Sequence, residues 1–549
     1  MKIDETKIKT RFTFPAILAA TVEKYGNSNA LGFVDEKPLT YSEVGKRVNA
    51  LIAMLEKLGI KKNDKVALLS PNMPNWGIAY FAITSMGAVV IPILNDFSVA
   101  EIENIISHSE SKIVFVSKTL LPKVKYIDKS IINIMMDDFT LLKEDNRLFF
   151  EQDAICLNKY DIKEDDLAAI IYTSGTTGRS KGVMLTHRNI CFTAYGGSLI
   201  QPMTSSDRFL SVLPLSHTYE NTLGLILPVM FGAAVWYLRK PPTPSVLLPA
   251  LEVVKPTVIL TVPLIIEKIY FNKILPSFNG KFITKILYRM PPFRKLLNRI
   301  AGKMLKKTFG SNLKFFGIGG TKLNKTVEKF LMEAKFPYAI GYGLTEASPL
   351  LAGAPPFSSV LESTGPAMNG VSLKIISPDP KTGEGEIWAK GENIMKGYYK
   401  EPVLTSEVLT SDGWLNTGDL GVLDNKNNLF IKGRLKNIIL GSSGENIYPE
   451  EIESVINNFR YVVESLVLEK KGKLIAMVHL NMEELEEKYN CLKEEFSRKF
   501  DDIIEEILNE LKEYVNTRVN KNSRIQLVLL QKEPFHKTAT LKVKRFLYY

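Results

Sequence analysis

The chain has 549 residues, 45% of them hydrophobic and 23% charged, an ordinary globular balance that excludes a disordered chain. Three cysteines (Cys156, Cys191, Cys491) are too few and too scattered for a disulfide framework or a zinc site, so a reducing compartment is expected. The net charge is +11, but 14 Lys/Arg and no Asp or Glu fall between Lys268 and Val327, which leaves the rest of the chain at −3.

The first residues, MKIDETKIKTRFTF, are charged and mixed in sign, and lack the apolar core of a signal peptide. Segment 66–70 (VALLS) reads as a strand, 79–86 as a helix and 88–94 (AVVIPIL) as a strand. A helix over 99–108 and a strand over 112–116 (KIVFV) follow. Such alternation with doubly apolar strands predicts a mostly parallel sheet with flanking helices. Another apolar strand, LAAIIYT, runs into YTSGTTGRSKG (172–182).

In that loop, small residues let successive backbone N–H groups point into one concavity. Thr173, Ser174 and Thr176 add hydroxyl donors, and Lys181 adds a cation. Such a nest binds phosphate. It is not a Walker A loop, because Ser180 precedes Lys181 and Gly182 follows it. The plain alternative is a flexible surface loop.

The apolar run 223–238 is too short to span a bilayer and contains Gly224, Pro228 and Gly232. It predicts a buried helix leading into a buried strand, and no transmembrane helix is expected. Residues 293–309 (FRKLLNRIAGKMLKKTF) place apolar residues at helical spacing among Arg294, Lys295, Arg299, Lys303, Lys306 and Lys307. A basic amphipathic helix suits an anionic membrane interface; the alternative is a helix packed on its own domain with a solvated face. No recognised nucleic-acid motif accompanies the charge, so no nucleic acid is expected as a partner.

The character changes near Gly433. A helix candidate spans 446–457, a hairpin spans 465–480, a long helix spans 482–519 and a strand spans 524–530. The predicted fold is therefore α/β: a large N-terminal domain (1–433) with mostly parallel sheets and flanking helices, plus a small α+β C-terminal domain (434–549).

Further motifs punctuate the chain. GIGGTKL (317–323) brings Gly319 and Gly320, where backbone can approach a flat ring closely. GYGLTEAS (341–348) joins an aromatic, a hydroxyl and a carboxylate. Tyr342 could stack on a base, Thr345 could donate to a phosphate, and Glu346 could hold Mg²⁺ with phosphate oxygens. DGWLNTGDLG (412–421) sets Asp419 between glycines, where it could accept ribose hydroxyls.

In its phosphate loop and in these motifs, taken in order, the sequence resembles the AMP-forming adenylate enzymes: acyl-CoA synthetases, peptide-synthetase adenylation domains and luciferases. Within them it is most similar to bacterial long-chain fatty-acid CoA ligases, through LPLSHTYE (213–220), TVPLIIEKIY (261–270) and GENIYPEEIE (444–453). The resemblance implies activation of a medium- or long-chain fatty acid to acyl-AMP with ATP and Mg²⁺, then transfer to coenzyme A. It implies nucleotide-binding roles for Thr173, Ser174, Gly175, Thr176, Thr177, Gly178, Lys181, Gly319, Gly320, Tyr342, Gly343, Asp419 and Arg434. His217 would lie beside the α-phosphate, Lys436 would be the hinge of a mobile C-terminal domain, and Gly444 would serve the thioester step. Lys542, in PFHKTATLKVKR (534–545), would be the catalytic lysine, with Lys544 as the alternative; Leu541 replaces the family's usual Gly.

Alternatives in function are an acyl–acyl-carrier-protein synthetase, or a relative that binds nucleotide or acyl chains without turnover. The expected location is the cytoplasm, with peripheral contact on the inner face of the cell membrane through 281–307.

Overall fold

The computed structural model describes residues 11–142, 157, 159–174, 180–280, 282–440, 446–470, 472–489, 493–537 and 543–549. The chain separates into two compact units. The first holds residues up to Lys374 with Trp388–Thr417 and Leu423–Phe430; the second holds Ile375–Ile387, Gly418–Val422 and Ile431–Tyr549.

Among the described residues, the first unit carries two large sheets. One has seven strands, in the order Gly397–Tyr398, Ser180–Thr186, Leu167–Ser174, Val89–Ile93, Lys65–Leu69, Ser111–Val116 and Ile132–Met135. From Leu167–Ser174 onward the pairings are parallel; the first two strands join antiparallel. Val89–Ile93 is buried throughout, the condition that gives its unbroken apolar run. The preceding helix, Pro74–Ser85, is buried almost all round, so no apolar stripe marks its ends. It begins five residues before the expected 79, with Pro74 in the first turn, where the missing N–H costs nothing.

The other sheet has eight strands. Its parallel centre runs Tyr338–Tyr342, Phe315–Ile318, Val258–Thr261, Arg208–Ser211, Ala234–Tyr237 and Asn29–Phe33. Some helices begin at side-chain caps and others at a proline in the first turn. Thr186 and Asn189 form a reciprocal capping box that starts His187–Ile200 directly after a strand. The run 223–238 is mostly buried, as expected, but its helical part divides between π-helix, Asn221–Ile226, and α-helix, Leu227–Met230, before the strand Ala234–Tyr237.

The second unit contains an antiparallel pair, Val462–Lys470 with Lys473–Leu480, and Leu527–Leu530 parallel to the latter. Pro449–Ile456 and Lys493–Asn516 contribute Ile452, Ile456, Ile507, Leu511 and Val515 to its core. The expected helix over 446–457 starts only at Pro449, because Asn446–Ile447 pairs with Ile439–Leu440. The expected helix over 482–519 comprises Met482–Tyr489 and Lys493–Asn516, with 490–492 outside the described residues.

Candidate active site

Parallel strands deliver loops to one edge of a sheet, at their carboxyl ends. In the eight-stranded sheet, the loop carrying His217 follows Arg208–Ser211, Gly319 and Gly320 follow Phe315–Ile318, and Gly343 to Glu346 follow Tyr338–Tyr342. These strands all lie within one run of four sheet neighbours, so three separate motifs emerge on one edge.

The strands that flank the YTSGTTGRSKG motif pair antiparallel: Thr173 pairs with Lys181 and Ser174 with Ser180. Gly175, Thr176, Thr177 and Gly178 lie outside the described residues, as does the Ser174 side chain. The stem is braced from behind. His108 Nδ1 hydrogen-bonds the Tyr172 hydroxyl at 2.7 Å, and the two rings meet edge to face.

The edge strand Gly397–Tyr398 lies beside this stem, with Tyr398 opposite Val183. Tyr398 then links two motifs. Its hydroxyl donates to Glu346 Oε1 at 2.9 Å, while Lys181 Nζ lies 5.1 Å from its ring centroid. The Glu346 carbonyl accepts from the Met395 N–H at 2.8 Å, which fixes the Thr345–Ala347 turn to the same segment. The carboxylate of GYGLTEAS and the Lys181 cation thus meet at one tyrosine side chain.

Tyr342 is buried at its strand end. Gly343 has no room for a side chain, because an added Cβ would lie 1.7 Å from the Pro349 carbonyl oxygen. Glycine here serves close backbone approach, which lets the loop fold back toward Leu351.

His217 caps the short helix Thr218–Glu220, with Nδ1 accepting the Tyr219 N–H at 3.2 Å. That bond places the proton of the neutral ring on Nε2. The loop before it is clamped by Asn72, which donates to Leu213 O at 2.6 Å and accepts from Leu215 N at 2.8 Å. Asn72 also donates to Ser211 Oγ at 2.9 Å, and Ser211 donates to Glu220 Oε1 at 2.6 Å. Burial pushes the Glu220 carboxyl up to about 8, so it is mostly protonated near neutral pH.

Tyr219 lies along a glycine ridge. A Cβ on Gly317 would meet its hydroxyl at 3.0 Å, and one on Gly319 would meet its ring at 3.2 Å. Gly320 adopts φ +98, which a side chain would strain.

In the second unit, Asp419 and Arg434 sit on neighbouring strands. Arg434 Nε donates to Asp419 Oδ1 at 3.0 Å; the carboxylate is buried and the guanidinium half exposed. Lys436 is exposed on the turn Leu435–Asn437. Gly433 lies against Tyr448, whose ring a Cβ would approach to 2.7 Å.

Lys542 and Gly444 lie outside the described residues. The flanks of the Lys542 segment are nevertheless pinned. Lys537 bridges antiparallel to Val543 and pairs with Glu464, while Arg545 pairs with Glu453 and donates to Val467 O at 3.1 Å.

Sequence reading missed Tyr398, Asn72, Tyr219 and His108. Tyr219 adjoins the histidine of a recognised motif and carried the one usable signal. Tyr398 reaches its place by strand pairing, His108 from a helix and Asn72 through side-chain hydrogen bonds, each to a partner distant in sequence.

The donor set fits Mg²⁺ shared with a nucleotide. Glu346 offers a hard carboxylate and Thr345 a neighbouring hydroxyl, and such ions take one or two carboxylates plus substrate phosphates. Among the described residues no cluster of three or more His, Cys, Asp or Glu offers an all-protein cage instead.

Residues 18–399 match the family described as AMP-binding enzyme. The long chain acyl-CoA synthetase 6, peroxisomal, of Arabidopsis thaliana is 29% identical over 489 residues, covering 81% of this chain and 69% of that protein. The chloroplastic long-chain-fatty-acid–[acyl-carrier-protein] ligase AEE15 of the same plant is 29% identical over 572 residues, covering 86% and 76%. Its 4-coumarate–CoA ligase 1 is 30% identical over 450 residues, covering 76% and 73%. In fold, the chain is similar to o-succinylbenzoate CoA synthetase from Bacillus subtilis in complex with its acyl-adenylate intermediate, with TM-score 0.75, 23% identity, and 96% and 97% of the chains covered.

Proposed function

The chain belongs to the AMP-binding enzyme family, and from there we propose that it is a ligase that joins a medium- or long-chain fatty acid to coenzyme A through an acyl-AMP intermediate. The observation that carries this reading is Tyr398, which ties the carboxylate of Glu346 to the cation of Lys181.

A carboxylate acylates poorly because its leaving group would be oxide. In the first half-reaction its oxygen attacks the α-phosphorus of ATP, the bond to the β-phosphate oxygen breaks, and pyrophosphate leaves. Both reactants are anionic, so the protein must supply positive charge and aligned donors. Lys181, the 173–178 loop and Lys542 meet that need; Thr345 and His217 Nε2 add donors. Glu346 would hold Mg²⁺, which neutralises phosphate charge when bound. Asp419 and Arg434 would serve the ribose, and Tyr342, Gly319 and Gly320 the adenine and acyl pocket. In the second half-reaction the CoA sulfur attacks the acyl carbonyl, and AMP leaves. A mobile C-terminal domain, hinged at Lys436, would exchange Lys542 for Gly444 between the two steps.

Substrate choice rests on the fatty-acid ligases among its relatives and on the buried apolar run that begins at Leu223, shortly after Tyr219. The similar coumarate ligase makes an aromatic acid the natural competitor. The acyl-carrier-protein ligase, which covers 86% of this chain, favours a second reading with carrier protein as acceptor. The cytoplasm, which supplies ATP and CoA, is the location this reading implies.

AMP and pyrophosphate release should be measured with ATP, Mg²⁺ and palmitate or 4-coumarate, with CoA or acyl carrier protein as acceptor. Palmitate- and CoA-dependent AMP release is the expected outcome. Turnover with coumarate alone would overturn the fatty-acid assignment, and turnover with carrier protein alone the CoA assignment.

A further inference from the structure

Helices Phe282–Arg289 and Pro291–Thr308 form the centre of the acid-free segment. The first helix buries none of its side chains. Phe282 is 79% exposed, Ile283 is 71% exposed, and Ile286 is exposed beside them. The second helix packs inward through Asn298, Gly302 and Leu305. Gly302 lies so close to Ala334 that a Cβ would approach it to 2.7 Å. On the same inward side Arg294 makes a two-pronged ion pair with Glu333, at 3.0 and 2.8 Å, and Asn298 donates to the same carboxylate at 2.7 Å.

This departs from the usual pattern, although Leu305 and partly buried Ala301 also pack inward. A surface helix normally turns its apolar stripe to the core and its polar face to water. Here polar anchors and a glycine supply much of the packed face. Leu296, Ile300 and Met304, spaced four residues apart, form a ridge on the other side, and all three are exposed. Lys295, Arg299, Lys303 and Lys306 run alongside that ridge and are exposed too.

We propose that this two-helix surface docks on an anionic lipid bilayer, the apolar ridge entering the headgroup boundary and the lysine row meeting lipid phosphates. Charge argues for this occupant. A second copy would set one basic row against another, and like charges facing each other oppose association. Nucleic acid would engage the cations but leave the Leu–Ile–Met ridge without a counterpart. The docking surface stands on its own residues; its use to the enzyme, collecting a membrane-dissolved acid, rests on the fatty-acid reading.

The full chain should be sedimented with vesicles of phosphatidylcholine alone and of an equimolar phosphatidylcholine–phosphatidylglycerol mixture. Wild type is expected to pellet with the mixed vesicles only, and less so as salt rises. The Lys295→Gln, Arg299→Gln, Lys303→Gln, Lys306→Gln variant should lose affinity by about fivefold for each cation removed. The Leu296→Ser, Ile300→Ser, Met304→Ser variant should also be released, with an unchanged unfolding midpoint because the three side chains are exposed. Equal pelleting on both vesicle types, or by wild type and either variant, would overturn the proposal. So would a gel-filtration dimer that the serine variant disperses, without vesicle binding. Neither readout involves turnover, so failure here leaves the ligase reading intact.

Discussion

The Tyr398 hydroxyl donates to Glu346 Oε1 at 2.9 Å while its ring lies beneath Lys181 Nζ, 5.1 Å from the centroid. One side chain therefore orients an anion and a cation that, on the proposed reading, face the same triphosphate. Tyr398→Phe keeps the ring and removes the hydroxyl. Hydrogen bonds to charged groups contribute about 1.5–3 kcal/mol, so adenylation should fall by about 10- to 100-fold. The Mg²⁺ concentration for half-maximal rate should rise, because a loosened Glu346 is a poorer ligand. Tyr398→Leu should cost more. Pyrophosphate exchange titrated with Mg²⁺ checks both, and an unchanged Mg²⁺ dependence in Tyr398→Phe would remove Tyr398 from the site.

Asp419 and Arg434 make a second, separable test. Asp419 is buried and half-exposed Arg434 meets it at 3.0 Å. Arg434→Ala strips a buried carboxylate of this partner; Asp419→Asn keeps the shape and removes the charge. Both should lower kcat/KM for ATP by at least about tenfold, on the scale of a lost charged hydrogen bond. The KM for the acid should be much less affected. Steady-state kinetics with each substrate varied in turn distinguishes a nucleotide role from general damage.

Lys542→Ala should abolish acyl-AMP formation and largely spare thioester formation from supplied acyl-AMP. Lys544→Ala is the control, since its N–H donates to His536 O at 2.8 Å within the pinned flank. If the two variants exchange phenotypes, the catalytic lysine is Lys544. Equal survival of both half-reactions in each would exclude both.

Glu220 gives a pH signature. Its carboxyl ionises near 4.5 in an unfolded chain but only near 8 in the folded one, because burial disfavours the charge. Between those values the folded state holds the extra proton, so its contribution to stability is fully present below 4.5 and is lost as pH rises toward 8. Glu220→Gln cannot ionise. Its thermal midpoint relative to wild type should therefore climb steadily from pH 5 to pH 8. A constant difference across that range would contradict the buried, protonated assignment.

The motifs were legible because glycine, hydroxyl and carboxylate runs are local: YTSGTTGRSKG and GYGLTEAS need no partner to be read. The parallel sheets were legible for a similar reason, since strands such as Val89–Ile93 are apolar on both faces. Tyr398 was not, because it lies 52 residues from Glu346 and arrives by pairing with a distant strand. The start at Pro74 escaped because a helix buried all round has no stripe to mark its beginning. The strands that place residues 375–387 and 418–422 in the second unit likewise leave no local trace.

Asn72 holds the His217 loop from 141 residues away along the chain, and it follows a strand of the other large sheet. A chain cut anywhere between 72 and 211 would put the clamp on one fragment and the clamped loop on the other. Fragment complementation would then restore the His217 loop only when both sheets had reassembled, so recovered adenylation would report reunion of the whole first unit rather than of either half.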